Sequence, residues 1–550
     1  MRRLQLDRLR VAGEAVDSSV ETFRTATVPF WLWWDSETGT GRFVRRILPV
    51  ILLGTIVVFY LWVFIRLSWL RHENLGSFDY DLGMYDQGIW QLAHGRGFMT
   101  VRGMHVFAHH TNIGYLLLVP FYWMGAGPQF LDVLNVLGVT AVALPVFLLA
   151  KRHLRSEWAG LFLAATYLFA FSPQWKIQET FHAESIAAPF IVGAFYFAST
   201  GRWRRYALCL AAAIIWKEDV AIVVAMMGLI VVLAFGKWKI GLATFVAGTA
   251  YFLIATKWFM PLYQQNGAVF DGLFVPLGDS ASDVVRTAIR DPERVGGVLI
   301  EHDADRHAVK LAAPGALIAL GSPMMLLLGL PQHLINHATN AYFTWDLRWH
   351  YAFFPYLSVM LAQVRFVVMR ARAITVWALI ALMVVSTAAT QESGVGCWTE
   401  NGNAGNFPFA GRSQADAGWG ARCRWIMFGG DQLTEVSANQ EFKAAMAKIP
   451  DDAVVSTTYY GVPHLSHRQF IYTFPNPWQS SNYGVGGVPA PPDPATVDYV
   501  LLRRDALTPE LQVLFDQILA SGDYDTVVHQ GDLFLLRRRV PGPDPVVPTG

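Results

Sequence analysis

Acidic, histidine and lysine residues in this chain gather in short runs, each placed where a long apolar stretch ends. The first run reads FDYDLGMYDQGIWQLAHGRGF and brings Asp79, Asp81 and Asp86 within eight positions. A helix over Tyr80–Ala93 would set Asp79 and Asp86, seven residues apart, on one face. Its apolar residues Leu82, Tyr85, Ile89 and Trp90 would seat it on the membrane surface. A carboxylate at the membrane–water boundary suits general-base or metal work, because partial burial raises its pKa while a neighbouring cation restores its charge. The plainer reading is that these acids cap or solvate a surface helix. His105, His109 and His110 follow in the same segment. Imidazoles beside carboxylates bind zinc or manganese, and magnesium less well. No HExxH or CxxC spacing accompanies them, so hydrogen-bonded histidines in a wet vestibule are the alternative.

Three further runs repeat the pattern. KIQETFHAES carries Lys176, Glu179, His182 and Glu184, and WKED carries Lys217, Glu218 and Asp219. A later stretch holds Gln332, His333, Asn336, His337, Arg348 and His350. Ionisable groups near a membrane core are costly and usually face a cavity or pair with one another. Lys217 and Arg348 suit a lipid phosphate, or equally an ion pair with Glu218 or Asp346.

The elements that must position these residues are membrane helices. Hydrophobic residues make up 53% of the chain and charged residues 15%, against about 25% in an ordinary soluble protein. A net charge of +1 supplies no basic stripe for nucleic acid, which is excluded as a partner. Aromatic residues reach 14%, many beside charges at the ends of apolar runs, where interfacial belts form. Apolar runs fall at 46–68, 128–150, 157–172, 185–200, 204–217, 219–236, 239–258, 350–369 and 373–391. The clusters Arg42-Arg45-Arg46, Lys151-Arg152-Arg155, Arg202-Arg204-Arg205, Lys237-Lys239 and Arg365-Arg370-Arg372 are cytoplasmic by the positive-inside rule. They alternate correctly if the short run 113–124 lies re-entrant or juxtamembrane, and if 311–337 enters and leaves on the outer side with a break at Gly321-Ser322-Pro323. The sum is about eleven crossings by the length rule, with the N-terminus cytoplasmic and the C-terminus outside. Every ionisable run then faces the outer side, as one polar chamber.

The chain divides into a cytoplasmic arm at 1–45, a transmembrane body at 46–391 with its first outer loop at 69–127, an extracytoplasmic α/β domain at 392–540, and a Pro/Gly-rich tail at 541–550 that does not fold. The arm is basic, without a signal-peptide core; Val11–Thr27 is amphipathic or unstructured, and Val28–Trp34 suits the headgroup region. In the outer domain, Ala453–Thr458, Gln469–Phe474 and Tyr499–Arg503 read as strands and Thr508–Ala520 as an amphipathic helix. Thr526–His529 and Leu533–Arg537 read as a hairpin around Gly531-Asp532. Cys209 sits in an apolar run; Cys397 and Cys423 share a polar stretch, where a disulfide would require an oxidising compartment and free thiols would not.

YDLGMYDQGIW, HHTNIGYLLLVPFYWM, FHAES, WKEDVA, LPQHLINHATN with HYAFFPYL, and GVPHLSHRQFIYTFP form an ordered set. Together they resemble the bacterial membrane family catalogued as domain of unknown function 2079, over residues 46 to about 540. That family resembles the GT-C superfamily of polyprenyl-phosphate-sugar-dependent glycosyltransferases, whose acidic catalytic residue lies in the first outer loop. The resemblance implies a GT-C-like helical membrane fold in the bacterial inner membrane. It implies Asp81 as the catalytic acidic residue, with Asp79 as second choice. His110, Lys217, Glu218, Arg348 and His350 would bind substrate or phosphate. His182, Glu184 and His109 are the candidate ligands for a divalent metal (Mg, Mn or Zn), although His109 stands where the family usually has an acid.

Three functions follow. One is an inverting transferase that moves a sugar from a polyprenyl-phosphate donor to an envelope glycan or glycolipid. Another is an envelope lipid transporter or flippase, which the absence of a visible repeat disfavours. The last is a non-catalytic envelope-assembly scaffold.

Overall fold

Backbone in a bilayer must satisfy its own hydrogen bonds, so the apolar runs have to be helical. The computed structural model describes residues 39–395 apart from 266, 268, 271, 280 and 371, then Met427, then 437–547. Val11–Thr27, Val28–Trp34, Cys397, Cys423 and the last three residues lie outside the described residues. Among the described residues five helices are long and apolar enough to cross a membrane: Gly39–Glu73, Pro128–Leu154, Trp238–Leu262, Tyr342–Val368 and Ala373–Ser393. Ile113–Trp123, Glu157–Phe169, Glu184–Ser199 and Val220–Phe235 are shorter apolar helices. Five helices, rather than about eleven, therefore meet the length rule.

Local chemistry explains the short ones. The run expected to span at 157–172 stops at Phe169, because Pro173 would clash with the carbonyl four residues back. Ala170 turns extended there (φ −68°, ψ 154°), and a separate helix, Phe171–Glu179, carries Lys176 and Glu179 onward. Between helices Ala304–Ala312 and Leu330–His337 the chain makes 3₁₀ turns at Ala313–Gly315, Ile318–Gly321 and Pro323–Leu328, which puts a break at Ser322. Protein covers part of this irregular backbone, at Ser322 and Gly329, while Leu317 and Leu320 remain exposed. Arg365 donates to Ser322 Oγ at 2.8 Å, and a Cβ at Gly329 would lie 2.6 Å from Pro355 Cα. Helices Val220–Phe235 and Trp238–Ile254 approach through glycines: a Cβ at Gly228 would sit 2.5 Å from Gly241 O, and one at Gly248 2.6 Å from Ala225 N.

The first loop departs from its expected course. The helix begins only at Met84, since Tyr80 (ψ 144°) and Asp81 (φ 63°, ψ −88°) are non-helical, so Asp79 and Asp86 share no helix face. Leu82, Tyr85 and Ile89 are buried within the protein and do not rest on a membrane surface. Helix Met84–Ala93 is held between the bundle and the C-terminal sheet. The run at 113–124 forms two short helices, Ile113–Leu117 and Val119–Trp123, whose Leu116, Leu117, Phe121 and Trp123 are exposed, as a juxtamembrane segment requires.

After a two-stranded ribbon, β1 (Phe98–Met99) and β2 (Met104–His105), the remaining strands build one sheet. These are β3 (Val455–Thr457), β4 (Ile471–Thr473), β5 (Tyr499–Arg503), β6 (Tyr524–Gln530) and β7 (Leu533–Arg538), in the order β4-β3-β5-β7-β6. β3 is parallel to both β4 and β5, and β7 is antiparallel to β5 and β6. The alternation of the sequence located all five strands and the helix Pro509–Ala520. Residues 541–547 carry neither helix nor strand.

The connection from β3 to β4 reaches the first loop. Gln91 donates to Gln469 O at 2.9 Å, and Thr100 Oγ1 accepts from Ile471 N at 2.9 Å. Asp86, fully buried, accepts from Tyr122 Oη at 2.7 Å and from Ser466 Oγ at 2.5 Å, with His467 Nε2 at 3.0 Å. Asp86→Ala should orphan these groups at a cost on the order of 3 kcal/mol. The C-terminal domain should then be cleaved faster by protease, with helical circular dichroism unchanged. Cleavage at the wild-type rate would remove Asp86 as the anchor.

Candidate functional site

Five chain segments converge at one end of the bundle: the kink at 79–83, residues 109–111, the 179–184 turn with the head of helix Glu184–Ser199, and the turns at 217–219 and 348–351. Asp81 occupies a positive-φ conformation costing on the order of 1–3 kcal/mol for a non-glycine residue. Thr180 (φ 150°, ψ −172°) lies in a region otherwise left to glycine. These two strained residues flank one contact, in which His182 Nε2 lies 3.1 Å from Asp81 Oδ1. Strain of this kind persists only where surrounding structure imposes it. Here it points the Asp81 carboxylate at a buried imidazole.

Behind that contact lies Glu179, whose Oε1 is 4.0 Å from His182 Nε2 and 2.6 Å from His350 Nδ1, while its other oxygen accepts the His350 backbone N–H. The His182 and His350 rings stack at 3.6 Å. Glu179, His182 and His350 offer ligand atoms within 4.8 Å of one another. Two imidazoles and a carboxylate make a donor set suited to zinc or manganese. Of the three residues read from sequence as metal ligands, only His182 belongs to this group. Glu184 contacts Lys217, and the His109 ring packs edge-on to His110 at 4.2 Å.

Lys217 sits between Glu184 and Asp219, the latter at 3.2 Å. Its expected partner Glu218 turns the other way, accepting from His110 Nδ1 at 2.7 Å and from Thr111 N at 2.9 Å. Arg348 forks onto Asp346, with Nε and Nη2 at 3.0 and 2.6 Å from Oδ2. That is the ion pair the sequence offered beside a phosphate contact. His350 joins the cluster through Glu179, with its Nε2 3.9 Å from Glu184.

Exposure separates the carboxylates. Asp81 is 22% exposed and Asp219 18%, whereas Glu179, Glu184 and Glu218 are at 2, 5 and 6%. Burial pushes the Asp81 carboxyl up, but the His182 imidazole beside it outweighs this and holds the group below its ordinary range. Burial drives His109 and His110 well down, leaving both imidazoles neutral. Asp79 faces the C-terminal sheet, accepting from Thr473 Oγ1 at 2.8 Å. Sequence reasoning left Glu179 and Asp219 out of the site, although Glu179 is one turn before His182 and Asp219 adjoins the lysine–glutamate pair.

Asp79 also sets a pH dependence. Burial pushes its carboxyl up to about 6, although the Thr473 hydrogen bond lowers it. The native state therefore holds this proton more tightly than the unfolded chain. That stabilisation is complete below the unfolded pKa of about 3.9 and is lost as pH rises through about 6. Asp79→Asn should raise thermal stability relative to wild type by on the order of 2–3 kcal/mol at pH 7.5. The gain should vanish near pH 4; a gain independent of pH would contradict the assignment.

No curated protein matches this chain. Among solved structures it is similar to ArnT from Cupriavidus metallidurans bound to undecaprenyl phosphate, at 11% identity and a TM-score of 0.46, covering 90% of this chain and 99% of that one. It is similar also to the apo state of the same protein, at 13% identity and a TM-score of 0.46, over 88% and 97% of the two chains. Residues 71–535, which span the kinked first loop, the ionisable cluster and the C-terminal sheet, match one family throughout, and the chain belongs to that family, described as Predicted membrane protein (DUF2079).

Proposed function

We propose that the protein is a GT-C-like membrane glycosyltransferase of the bacterial inner membrane, working on its outer side. It would take a sugar from a polyprenyl-phosphate donor and pass it to an envelope glycan or glycolipid. The observation that carries this reading is Asp81, a carboxylate held in strained backbone at the rim of a buried ionisable cluster, where the GT-C resemblance expects the acidic catalytic residue. It is ionised and reachable, so it can accept a proton, but it is held below the ordinary carboxylate range and not raised as the sequence led one to expect.

In the reaction Asp81 takes the proton of an acceptor hydroxyl. The freed oxygen attacks the anomeric carbon from the side opposite the phosphate, the carbon–oxygen bond to phosphate breaks, and polyprenyl phosphate leaves with that electron pair. The anomeric configuration inverts, and Asp81 later gives its proton to solvent. His182 positions Asp81. Lys217, held by Glu184 and Asp219, is the cation proposed to meet the departing phosphate, with His110 and Glu218 from the adjoining turns; Arg348 is engaged by Asp346. Glu179, His182 and His350 would hold a divalent ion, which would supply positive charge to the site when bound.

The test is transfer of label from polyprenyl-phosphate sugars to envelope lipid and glycan extracts by purified protein in proteoliposomes. A labelled product from at least one donor supports the reading. Its absence across donors with several sugars and polyprenyl lengths would sink it.

A further inference from the structure

Away from the ionisable cluster, the helix pair Val220–Phe235 and Trp238–Ile254 leaves a trough. The glycine contacts at Gly228, Gly241 and Gly248 draw Trp238–Ile254 onto Val220–Phe235. Helix Trp203–Ile214 packs instead on Glu184–Ser199, where a Cβ at Gly193 would meet Cys209 Sγ at 3.6 Å. The two outer helices are thereby held apart, bridged by Tyr206 donating to Thr244 Oγ1 at 3.0 Å. The gap has a volume of about 770 Å³. Its walls are single helix faces: Ala207, Leu210, Ala211 and Ile214 on one side, Ala243 and Ala247 on the other. Such a surface, turned to a bilayer, is filled by a hydrocarbon chain.

The ends of the trough differ. One carries Arg204 and Lys239 with Trp203 between the walls, and both cations are exposed. Neither has a carboxylate partner among the described residues. The other end, at Ile214 and Tyr251, has no cation in its lining. The trough runs 12 residues along Trp203–Ile214, about 18 Å at helical rise, which matches one acyl chain. We propose that it binds one anionic glycerophospholipid, its headgroup phosphate on Arg204 and Lys239 and an acyl chain between the helices. Basic pockets between membrane helices bind anionic headgroups in this way. The positive-inside rule puts that end in the cytoplasmic leaflet, opposite the candidate site. The proposal does not depend on the glycosyltransferase reading.

The full chain in nanodiscs of mixed phosphatidylglycerol and phosphatidylcholine, released for native mass spectrometry, should retain one phosphatidylglycerol in preference to phosphatidylcholine. Removing one exposed membrane-surface cation weakens anionic-lipid binding about fivefold, so R204A/K239A should lose roughly 20- to 30-fold. A247F, which plugs the trough and keeps both cations, should lose retention too. R152A/R370A, on the same basic face but off the trough, should behave as wild type. Phosphatidylglycerol bearing a photoreactive acyl chain should label wild-type residues between Trp203 and Ile214 or Trp238 and Tyr251. Labelling elsewhere, undiminished retention by R204A/K239A or A247F, or preferential capture of polyprenyl phosphate with its head near Tyr251 would each overturn the proposal.

Discussion

Asp81→Asn should lower the rate of sugar transfer by on the order of 10²–10⁴, with donor affinity changed by no more than a few-fold. The amide keeps the size of the side chain and a contact with His182, so the kink at 79–83 and the roofing sheet should persist. What it loses is the capacity to take a proton, a step used only in the transition state. The loss should therefore fall on kcat and not on KM. Asp79→Asn should leave transfer nearly intact, because Asp79 is turned to Thr473. If Asp79→Asn abolished transfer and Asp81→Asn did not, the second candidate base would replace the first. Retention of both rates would remove the acid–base account.

Lys217→Met should be the most damaging change to the fold. Lys217 is buried between the enclosed Glu184 and the partly exposed Asp219. Removing one partner of a buried ionic group leaves uncompensated charge and costs on the order of 3–5 kcal/mol. Methionine fills the volume, so the effect would be electrostatic and not a cavity. Thermal unfolding in detergent should show a strongly lowered midpoint, and Lys217→Met combined with Glu184→Gln should recover part of it, since the pair is coupled. If the double change were as damaging as the sum of the single ones, Lys217 and Glu184 would not act as a unit.

Much of this arrangement was legible in the chain. Period-two alternation located the strands around Val455, Ile471 and Tyr499, and the Gly531-Asp532 turn located the hairpin. The recurrence of ionisable residues at the ends of apolar runs identified the segments that converge. What sequence could not supply was local backbone geometry and partner choice. Nothing in YDLG announces that Asp81 leaves the helical region, so a continuous helix put Asp79 and Asp86 on one face. Partner choice between Glu184, Glu218 and Asp219 for Lys217 depends on the close meeting of the 184 and 217 turns, which spacing does not encode. Likewise the apolar face of Met84–Ala93 reads the same whether it meets lipid or protein; a sheet nearly 400 residues downstream decides it. The run at 157–172 was read as one helix, whereas it stops at Phe169 ahead of Pro173; the break at Gly321-Ser322-Pro323 was legible from its residues.

The central claim is that Asp81 activates an acceptor for direct displacement from a lipid phosphate. The most direct test is a single-turnover experiment with a labelled polyprenyl-phosphate sugar, wild-type protein and Asp81→Asn in matched proteoliposomes, reading both rate and product anomer. The wild-type product should have inverted configuration, and Asp81→Asn should lose on the order of 10²–10⁴ in rate at equal donor occupancy. A product of retained configuration, or equal rates for the two proteins, would contradict it.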